Sequence, residues 1–202
     1  MRVVETDLPG VMIFEPKVHG DHRGMFVETF RAELLESFGL PSVFVQDNQS
    51  RSARGTLRGT HYQLVQPQGK LVRVSRGEVY DVAVDVRVGS PTFGEWTAVV
   101  LDDQACRQLY IPPGFAHGFC VLSETADFVY KCTDYYHPAS ERGVVWDDPG
   151  IGIEWPLKVV TLSPKDLRYP TLAMQPEKDL PVFDESDPQF ANWVRRGRRS
   201  VR

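Results

Sequence analysis

Short stretches in which apolar and polar residues alternate recur along the middle of the chain, separated by turns rich in glycine and proline. The clearest is Val79–Val88, where valines alternate with charged residues as in a strand with two different faces. The valines on one face are Val82, Val84, Val86 and Val88, and the charged residues on the other are Asp81, Asp85 and Arg87. Further strands are predicted at Trp96–Leu101, Arg107–Ile111, Phe119–Leu122 and Phe128–Thr133. Strands this short, recurring about every ten residues, predict a mainly β protein built as a sandwich or barrel.

Helical patterns are few. Thr29–Phe38 carries apolar residues at helical spacing and stops before Gly39. A second helix is predicted from Asp187 and Pro188, a capping residue followed by proline at the first helical position. Its apolar residues are Phe190, Trp193 and Val194, and the basic tail that follows contains Arg195, Arg196, Arg198, Arg199 and Arg202. We expect this tail to be solvated and frayed, and a contact with phosphate or a partner is the alternative.

Composition places the chain among globular proteins. Of its 202 residues, 42% are hydrophobic and 25% are charged, and a net charge of −4 argues against a nucleic-acid-binding face. No apolar run approaches the roughly 20 residues of a membrane helix, and the N-terminus lacks the apolar core of a signal peptide. We therefore expect a cytoplasmic protein without a membrane partner. The cysteines, Cys106, Cys120 and Cys132, are odd in number and widely spaced, so we expect buried reduced thiols.

The first candidate for chemistry is the pair Arg58 and His61. A histidine near an arginine could be a general base beside an anion-binding group. A spacing of three, however, places the two side chains on opposite faces of a regular strand. Gly59 lies between them and would permit a bulge that turns one of them to the other face. A purely structural histidine is the alternative.

Two further candidates are His117 and Tyr130. His117 follows the rigid turn Pro112-Pro113-Gly114, which suits a fixed binding group, although a histidine satisfied by a backbone carbonyl is the alternative. Tyr130 shares a face with Phe128 and Cys132, so it is either a core tyrosine with a bonded hydroxyl or a proton donor in a water-poor cavity.

A metal site is disfavoured by the same residues. Catalytic metals in small β-barrels generally take three or four nitrogen and oxygen ligands. Gln63, not a histidine, stands two residues after His61, and residues 64–71 contain no carboxylate. We therefore predict no metal.

Pro112–His117 resembles the second cupin motif, and His61–Gln63 resembles the first without its metal ligands. A longer series of stretches occurs in order along the chain: Asp21–Glu28, Gln46–Asn48, Leu57–Gln63, Gly69–Arg73, Gly89–Gly94, Pro113–Phe119, Tyr130–Tyr136, Trp146–Pro149, Ile153–Pro156 and Leu162–Asp166. Together these stretches resemble the motifs of the dTDP-4-dehydrorhamnose 3,5-epimerases of the cupin superfamily. They span about residues 3 to 170. One departure is Thr60, where a larger apolar residue is expected.

The resemblance implies a cupin-type jelly roll with a few short helices, formed as a single domain over residues 1–202 with a peripheral segment from about 171. It implies a homodimer that acts on a dTDP-4-keto-6-deoxyhexose, a nucleotide sugar, without a cofactor. It implies that His61 is the base, that Tyr130 is the proton donor on the opposite face of the sugar, and that Asp166 orients His61. The implied substrate-binding residues are Arg23, Glu28, Gln46, Asn48, Arg58, Lys70, His117, Tyr136, Glu141 and Lys165, with Arg58 and Lys70 near the ketone or phosphates and Tyr136 stacked on the thymine.

The chemistry of such a reaction suits these residue types. Removing a proton next to a ketone leaves an enolate oxygen, which Lys70 or Arg58 could stabilise without a metal, and one such donor is typically worth about 3–4 kcal/mol. A base at neutral pH fits histidine, with a carboxylate to hold its tautomer. Inversion needs a proton from the opposite face, which a tyrosine facing His61 supplies.

Three alternatives remain. A single-site 3- or 5-epimerase shares these motifs, so the sequence separates it poorly from a 3,5-epimerase. A non-catalytic sugar-nucleotide-binding cupin predicts loss of His61, Tyr130 or Asp166, and all three are present. A metal-dependent cupin oxygenase or isomerase is disfavoured by Gln63.

Overall fold

The protein is built mainly from antiparallel strands. The computed structural model describes residues 1–195. The strands are β1 (Arg2–Glu5), β2 (Met12–Glu15), β3 (Val18–Asp21), β4 (Gly24–Val27), β5 (Gln46–Ala53), β6 (Leu57–Gln63), β7 (Lys70–Arg76), β8 (Glu78–Asp85), β9 (Trp96–Asp102), β10 (Gln108–Ile111), β11 (Phe115–Val121), β12 (Thr125–Cys132) and β13 (Glu141–Gly143). The α-helices are α1 (Ala32–Ser37) and α2 (Pro188–Arg195), and short 3₁₀ turns lie at Pro138–Ser140, Asp166–Arg168, Leu172–Met174 and Glu177–Asp179.

Two sheets face each other, as in a cupin-type jelly roll. The six-stranded sheet has the order β1-β2-β10-β7-β12-β5, and the five-stranded sheet has the order β13-β6-β11-β8-β9. Strands β3 and β4 form a separate hairpin. Because each sheet mixes strands from distant parts of the chain, residues far apart in sequence meet on the inner faces.

Three apolar clusters stabilise this arrangement, and two of them lie on the two faces of the five-stranded sheet. The inner core lies between the sheets and consists of Leu8, Val11, Val72, Val74, Val79, Ala83, Val99, Leu101, Leu109, Ile111, Phe115, Phe119, Val121, Ala126 and Phe128. The outer core covers the far side of the five-stranded sheet and consists of Tyr62, Val82, Val84, Val86, Ala116, Val144, Ile151, Leu172 and Leu180. The valine face of β8 therefore packs under the C-terminal part of the chain. Its other face, which carries Asp81, is turned into the interior.

The strand predicted over Val79–Val88 is shorter than expected, because it ends at Asp85. The Asp85 carboxylate accepts hydrogen bonds from the backbone N–H of Arg87 at 3.0 Å and from its guanidinium at 2.9 and 2.7 Å. The hydroxyls of Ser90 and Thr92 donate to the same carboxylate at 2.6 and 2.7 Å. These bonds stabilise a turn in place of a continued strand, and Val88 instead pairs with Val182.

The helix predicted over Thr29–Phe38 begins later, at Ala32. The carbonyl of Thr29 accepts a hydrogen bond from Gln108 Nε2 at 2.8 Å, which ties this part of the chain to β10. Arg31 keeps an extended backbone and offers no side-chain cap. The second helix is confirmed as α2.

The remaining predicted strands are confirmed as β9, β10, β11 and β12, with shifted ends. Strand β11 begins at Phe115, so His117 lies within it. Cys106, Cys120 and Cys132 are free and buried, as predicted. No helix in residues 1–195 has the length and apolarity needed to span a membrane. The tail residues Arg196, Arg198, Arg199 and Arg202 lie outside the described residues.

Candidate active site

A bulge in β6 brings Arg58 and His61 to the same face. His61 lies opposite His117 on β11, and Arg58 lies opposite Phe119, so three steps on β6 match two on β11. Gly59 is the residue that permits this, since its φ is +118° and a Cβ there would lie 2.4 Å from Gly118 Cα. His117 and Phe119 share the inner face, so Arg58 and His61 are directed inward with them.

His61 forms a short hydrogen bond with a buried carboxylate. Its Nε2 lies 2.6 Å from Asp166 Oδ1, and the side chains are 24% and 4% exposed respectively. Ser163 Oγ donates to the other oxygen of Asp166 at 2.9 Å. Burial alone raises the pKa of Asp166, but the bonds from His61 and Ser163 hold that pKa below its ordinary value. An ionised Asp166 can accept this hydrogen bond from Nε2–H, which leaves Nδ1 as the nitrogen able to take a proton.

Tyr130 and Lys70 come from the facing sheet. Tyr130 on β12 packs against the inner core beside Phe128, with ring centroids 5.9 Å apart. Burial raises the pKa of its phenol, and the nearby Arg58 opposes that shift. Lys70 on β7 lies directly opposite Cys132 of β12 in the register. Burial lowers the pKa of the Lys70 ammonium, and the charges of Glu141 and Asp81 partly offset this. The interior is therefore bordered by a histidine on one sheet and by a phenol and an amine on the other.

His117 is paired with Asp81 in the interior. Its Nε2 lies 3.1 and 3.0 Å from the two carboxylate oxygens, and its ring stacks on Phe128 with centroids 5.9 Å apart. Both residues are buried. The alternative that a backbone carbonyl satisfies His117 is therefore wrong, because its partner is a carboxylate that alternates with the valines of β8.

Glu141 collects hydrogen bonds at the edge of the site. Its Oε2 accepts from Tyr136 Oη at 2.8 Å, and its Oε1 accepts from Tyr169 Oη at 2.9 Å and from Lys165 Nζ. Burial raises the pKa of Glu141, but these three donors and the nearby His61 hold it below its ordinary value. An ionised Glu141 therefore fixes two tyrosines and a lysine around one point.

Gln46 and Asn48 adjoin this group on β5. The backbone N–H of Tyr136 donates to Gln46 Oε1 at 2.8 Å, and Gln46 Nε2 donates to Asn48 Oδ1 at 3.1 Å. Asn48 Nδ2 also reaches Cys132 Sγ at 3.7 Å. The two amides therefore connect the Tyr136 segment to β5 and, through Cys132, to β12, the strand that carries Tyr130.

Arg23 and Glu28 are not brought to this group within one chain. Arg23 lies in the turn of the β3–β4 hairpin and binds Asp21, with Nη2 2.5 Å from Oδ2. Glu28 follows the hairpin and accepts from Arg31 Nη2 at 2.7 Å. Within residues 1–195, these are the only ion pairs that the two side chains make.

Two residues near the histidines were not predicted as site residues. Asp81 could have been noticed as a charged residue that alternates with valines in a strand, but the alternation does not say which face is inside. Tyr169 follows the 3₁₀ turn Asp166–Arg168, and its ring meets that of His61 edge to face with centroids 5.5 Å apart. Nothing in the sequence around Tyr169 indicates that contact.

Among residues 1–195, no three histidine, cysteine or acidic side chains converge in a manner suited to a metal ion. The groups that do converge are hydrogen-bonded to one another: His61 to Asp166, His117 to Asp81, and three donors to Glu141.

Comparison with known proteins identifies the family. The family model for dTDP-4-dehydrorhamnose 3,5-epimerase matches residues 5–174. A dTDP-4-dehydrorhamnose 3,5-epimerase from Shigella flexneri is 55% identical over 170 residues, covering 83% of this chain and 93% of the relative. A dTDP-4-dehydrorhamnose 3-epimerase from Streptomyces niveus is 41% identical over 168 residues, covering 82% and 81%.

A solved structure agrees with these relatives. The crystal structure of dTDP-6-deoxy-D-glucose-3,5-epimerase from Legionella pneumophila Philadelphia 1, in complex with dTDP-4-keto-L-rhamnose, superposes with a TM-score of 0.88 at 52% identity, covering 91% of this chain and 98% of that one. Sequence and fold agree over nearly the whole chain, and this chain belongs to the dTDP-4-dehydrorhamnose 3,5-epimerase family.

Proposed function

We propose that this protein is a dTDP-4-dehydrorhamnose 3,5-epimerase, which converts dTDP-4-dehydro-6-deoxy-D-glucose to dTDP-4-dehydro-L-rhamnose. The observation that carries the proposal is the His61–Asp166 pair on one side of the interior and Tyr130 on the facing sheet. Inversion needs a base and an acid on opposite faces of the sugar, and the two sheets hold one of each.

His61 is the base in this proposal. With Nε2–H bonded to Asp166, the lone pair of Nδ1 takes the proton from a carbon next to the ketone. The resulting imidazolium is stabilised by the Asp166 carboxylate, whose lowered pKa keeps it ionised at neutral pH.

Lys70 and Arg58 are proposed to stabilise the enolate. The negative charge develops on the former ketone oxygen, and a cation shielded from water, such as Lys70, interacts with it more strongly than one in bulk water. The burial that lowers the pKa of Lys70 reflects such surroundings. No cofactor is needed, since the substrate's own ketone accepts the electron pair.

Tyr130 returns a proton to the opposite face of the enolate. Its raised pKa keeps the hydroxyl protonated at neutral pH, as a donor requires, and Arg58 stabilises the phenolate left behind. One carbon has then exchanged the proton lost to His61 for one given by Tyr130, which inverts it. Solvent restores both groups, and repetition at the second carbon completes the reaction.

The nucleotide end of the substrate is assigned to the group around Glu141. Tyr136 is half exposed and offers a ring for stacking on thymine, supported by Gln46, Asn48 and Glu141. Lys165 and His117 supply nearby positive or hydrogen-bonding groups suited to a diphosphate.

We also propose that the enzyme is a homodimer in which the partner subunit supplies Arg23 and Glu28. Their hairpin stands apart from both main sheets and exposes Met25 and Phe26, at 55% and 72%. Large exposed apolar side chains on a projecting element suit an interface with a second copy. The free, buried cysteines suit a cytoplasmic location.

Mixing two inactive variants tests the shared site. Arg23→Ala and His61→Asn each inactivate every site of a homodimer under this proposal. Statistical mixing after subunit exchange creates one intact site in each hybrid dimer and restores about a quarter of wild-type activity. Mixtures as inactive as their components would show that Arg23 acts within its own chain, and an active Arg23→Ala enzyme on its own would show that Arg23 has no role.

The reaction itself is tested in deuterated water. Wild-type enzyme with dTDP-4-dehydro-6-deoxy-D-glucose is expected to incorporate deuterium at C3 and at C5, with both centres inverted in the NMR spectrum. Inversion at only one of the two carbons would identify a single-site epimerase, the alternative function. Incorporation at neither carbon would overturn the proposal.

A further inference from the structure

Tyr169 lies between the two polar groups of the site and contacts both. Its ring meets the His61 ring edge to face, with centroids 5.5 Å apart and planes at 61°. Its hydroxyl donates to Glu141 Oε1 at 2.9 Å.

The position of this ring is fixed by the backbone around it. Tyr169 directly follows the 3₁₀ turn that begins with Asp166, so the group that binds His61 Nε2 and the ring that covers His61 come from one short segment. On the other side the ring lies on Gly143 of β13, where a Cβ would be 2.7 Å from Tyr169 Cδ2 and Cε2. Glycine at 143 therefore leaves the space that the ring occupies.

We propose that Tyr169 is a positioning residue whose ring and hydroxyl have separate roles. The ring shields the hydrogen bond between His61 and Asp166 from water, and the hydroxyl holds Glu141 toward the substrate. The role of the hydroxyl rests on the function proposed above, in which Glu141 binds the nucleotide end of the substrate.

The ring and the hydroxyl of Tyr169 are expected to have different effects. A hydrogen bond between imidazole and carboxylate is stronger, and its proton exchanges more slowly, where water is excluded. The hydroxyl bond to Glu141 is one of three donors on that carboxylate, so its loss should loosen Glu141 without disturbing His61. The raised pKa of the Tyr169 phenol, caused by burial and by Glu141, keeps the hydroxyl a donor across the working pH range.

The ring is tested by NMR of the protein labelled with ¹⁵N-histidine, without substrate. The Nε2–H proton of His61 is expected as a downfield signal, assigned by its absence in His61→Asn. Tyr169→Ala should broaden that signal by exchange with water, whereas Tyr169→Phe should keep it. The Nε2–H signal of His117, bonded to the buried Asp81, is the internal control and should persist in both variants.

The hydroxyl is tested by kinetics of Tyr169→Phe. Removing one hydrogen bond to a carboxylate should raise KM about tenfold while kcat stays within about twofold of wild type. An unchanged KM would overturn the role of the hydroxyl.

A wild-type His61 signal in Tyr169→Ala would overturn the role of the ring. If Tyr169→Ala loses the signals of both histidines, its fold is lost. Tyr169→Val then replaces it, because valine keeps more of the packing but does not cover His61, and the same two signals decide. Because the NMR experiment uses no substrate, it decides the role of the ring even if the wild-type protein fails to epimerise the nucleotide sugar.

Discussion

Single residues in this site take their properties from the partner each one meets. His61 and His117 lie opposite each other on adjacent strands, but they bind different carboxylates. His61 binds Asp166, and His117 binds Asp81 in the buried interior. The side chain of His61 is 24% exposed and that of His117 is 8% exposed, so His61 is the more accessible of the two histidines. This difference supports the choice of His61 as the base.

His61→Asn is expected to lower kcat by about 10²–10⁴-fold, the usual contribution of a general base. Asparagine keeps a hydrogen-bonding group near Asp166 but cannot take a proton. Binding of dTDP, measured by calorimetry, should stay near the wild-type value, because the nucleotide is assigned to the Glu141 group. A His61→Asn enzyme with more than a few per cent of wild-type activity would remove His61 from the role of base.

At the scale of elements, the bulge in β6 is the feature that assembles the site. It turns Arg58 and His61 to one face, where a regular strand would separate them. Gly59 serves both requirements of the bulge, a positive φ and a close approach to the backbone of β11.

Gly59→Ala tests the bulge against a matched glycine. Gly89 also has a positive φ, of +85°, but nothing lies within 4 Å of a Cβ at that position. Gly89→Ala should therefore cost only the backbone strain, about 1–2 kcal/mol of the free energy of unfolding in urea. Gly59→Ala adds a backbone clash, so it should cost about 3 kcal/mol or more and lower activity with it. Equal losses in the two variants would show that the close packing at Gly59 is unimportant.

The same elements show what the sequence could and could not predict. Alternation located β8, and Gly59 indicated that a bulge was available, because both signals depend on residues near in sequence. Alternation did not reveal that the charged face of β8 is inside, since its valine face is covered by residues about 90 positions later in the chain, such as Leu172. Tyr169 was missed for the same reason: its contacts with His61 and Glu141 exist only after three separate segments have met.

At the scale of the whole molecule, the C-terminal part of the chain closes the outer face of the five-stranded sheet. Leu172 and Leu180 are buried in the outer core, and Tyr62 Oη donates to the Asp179 carbonyl at 2.7 Å. Arg142 Nε also donates to Asp179 Oδ1 at 2.9 Å. Tyr62 and Arg142 are sequence neighbours of His61 and Glu141, so the segment supports the strands that carry the site. We propose on this ground that it belongs to one domain with the barrel.

Two variants in one 3₁₀ turn measure this contribution. Leu172 is 8% exposed and Met174 is 76% exposed, although they are two residues apart. Leu172→Ala should lower the free energy of unfolding by about 2–4 kcal/mol, because it opens a cavity in the outer core. Met174→Ala should change it by less than about 0.5 kcal/mol. Urea unfolding followed by tryptophan fluorescence gives both values, and similar small changes would mean that the segment rests on the barrel without stabilising it.

The central claim is that base and acid act from facing sheets, and Tyr130→Phe tests it most directly. The change removes one hydroxyl, and Tyr80→Phe, at a tyrosine that packs on Trp155 in the outer core, is the matched control. In deuterated water, NMR should show that His61 still exchanges protons next to the ketone, while inverted product, followed by a coupled reductase, falls about 10²–10⁴-fold. A fall in exchange equal to the fall in inversion, or no fall in either, would contradict the account.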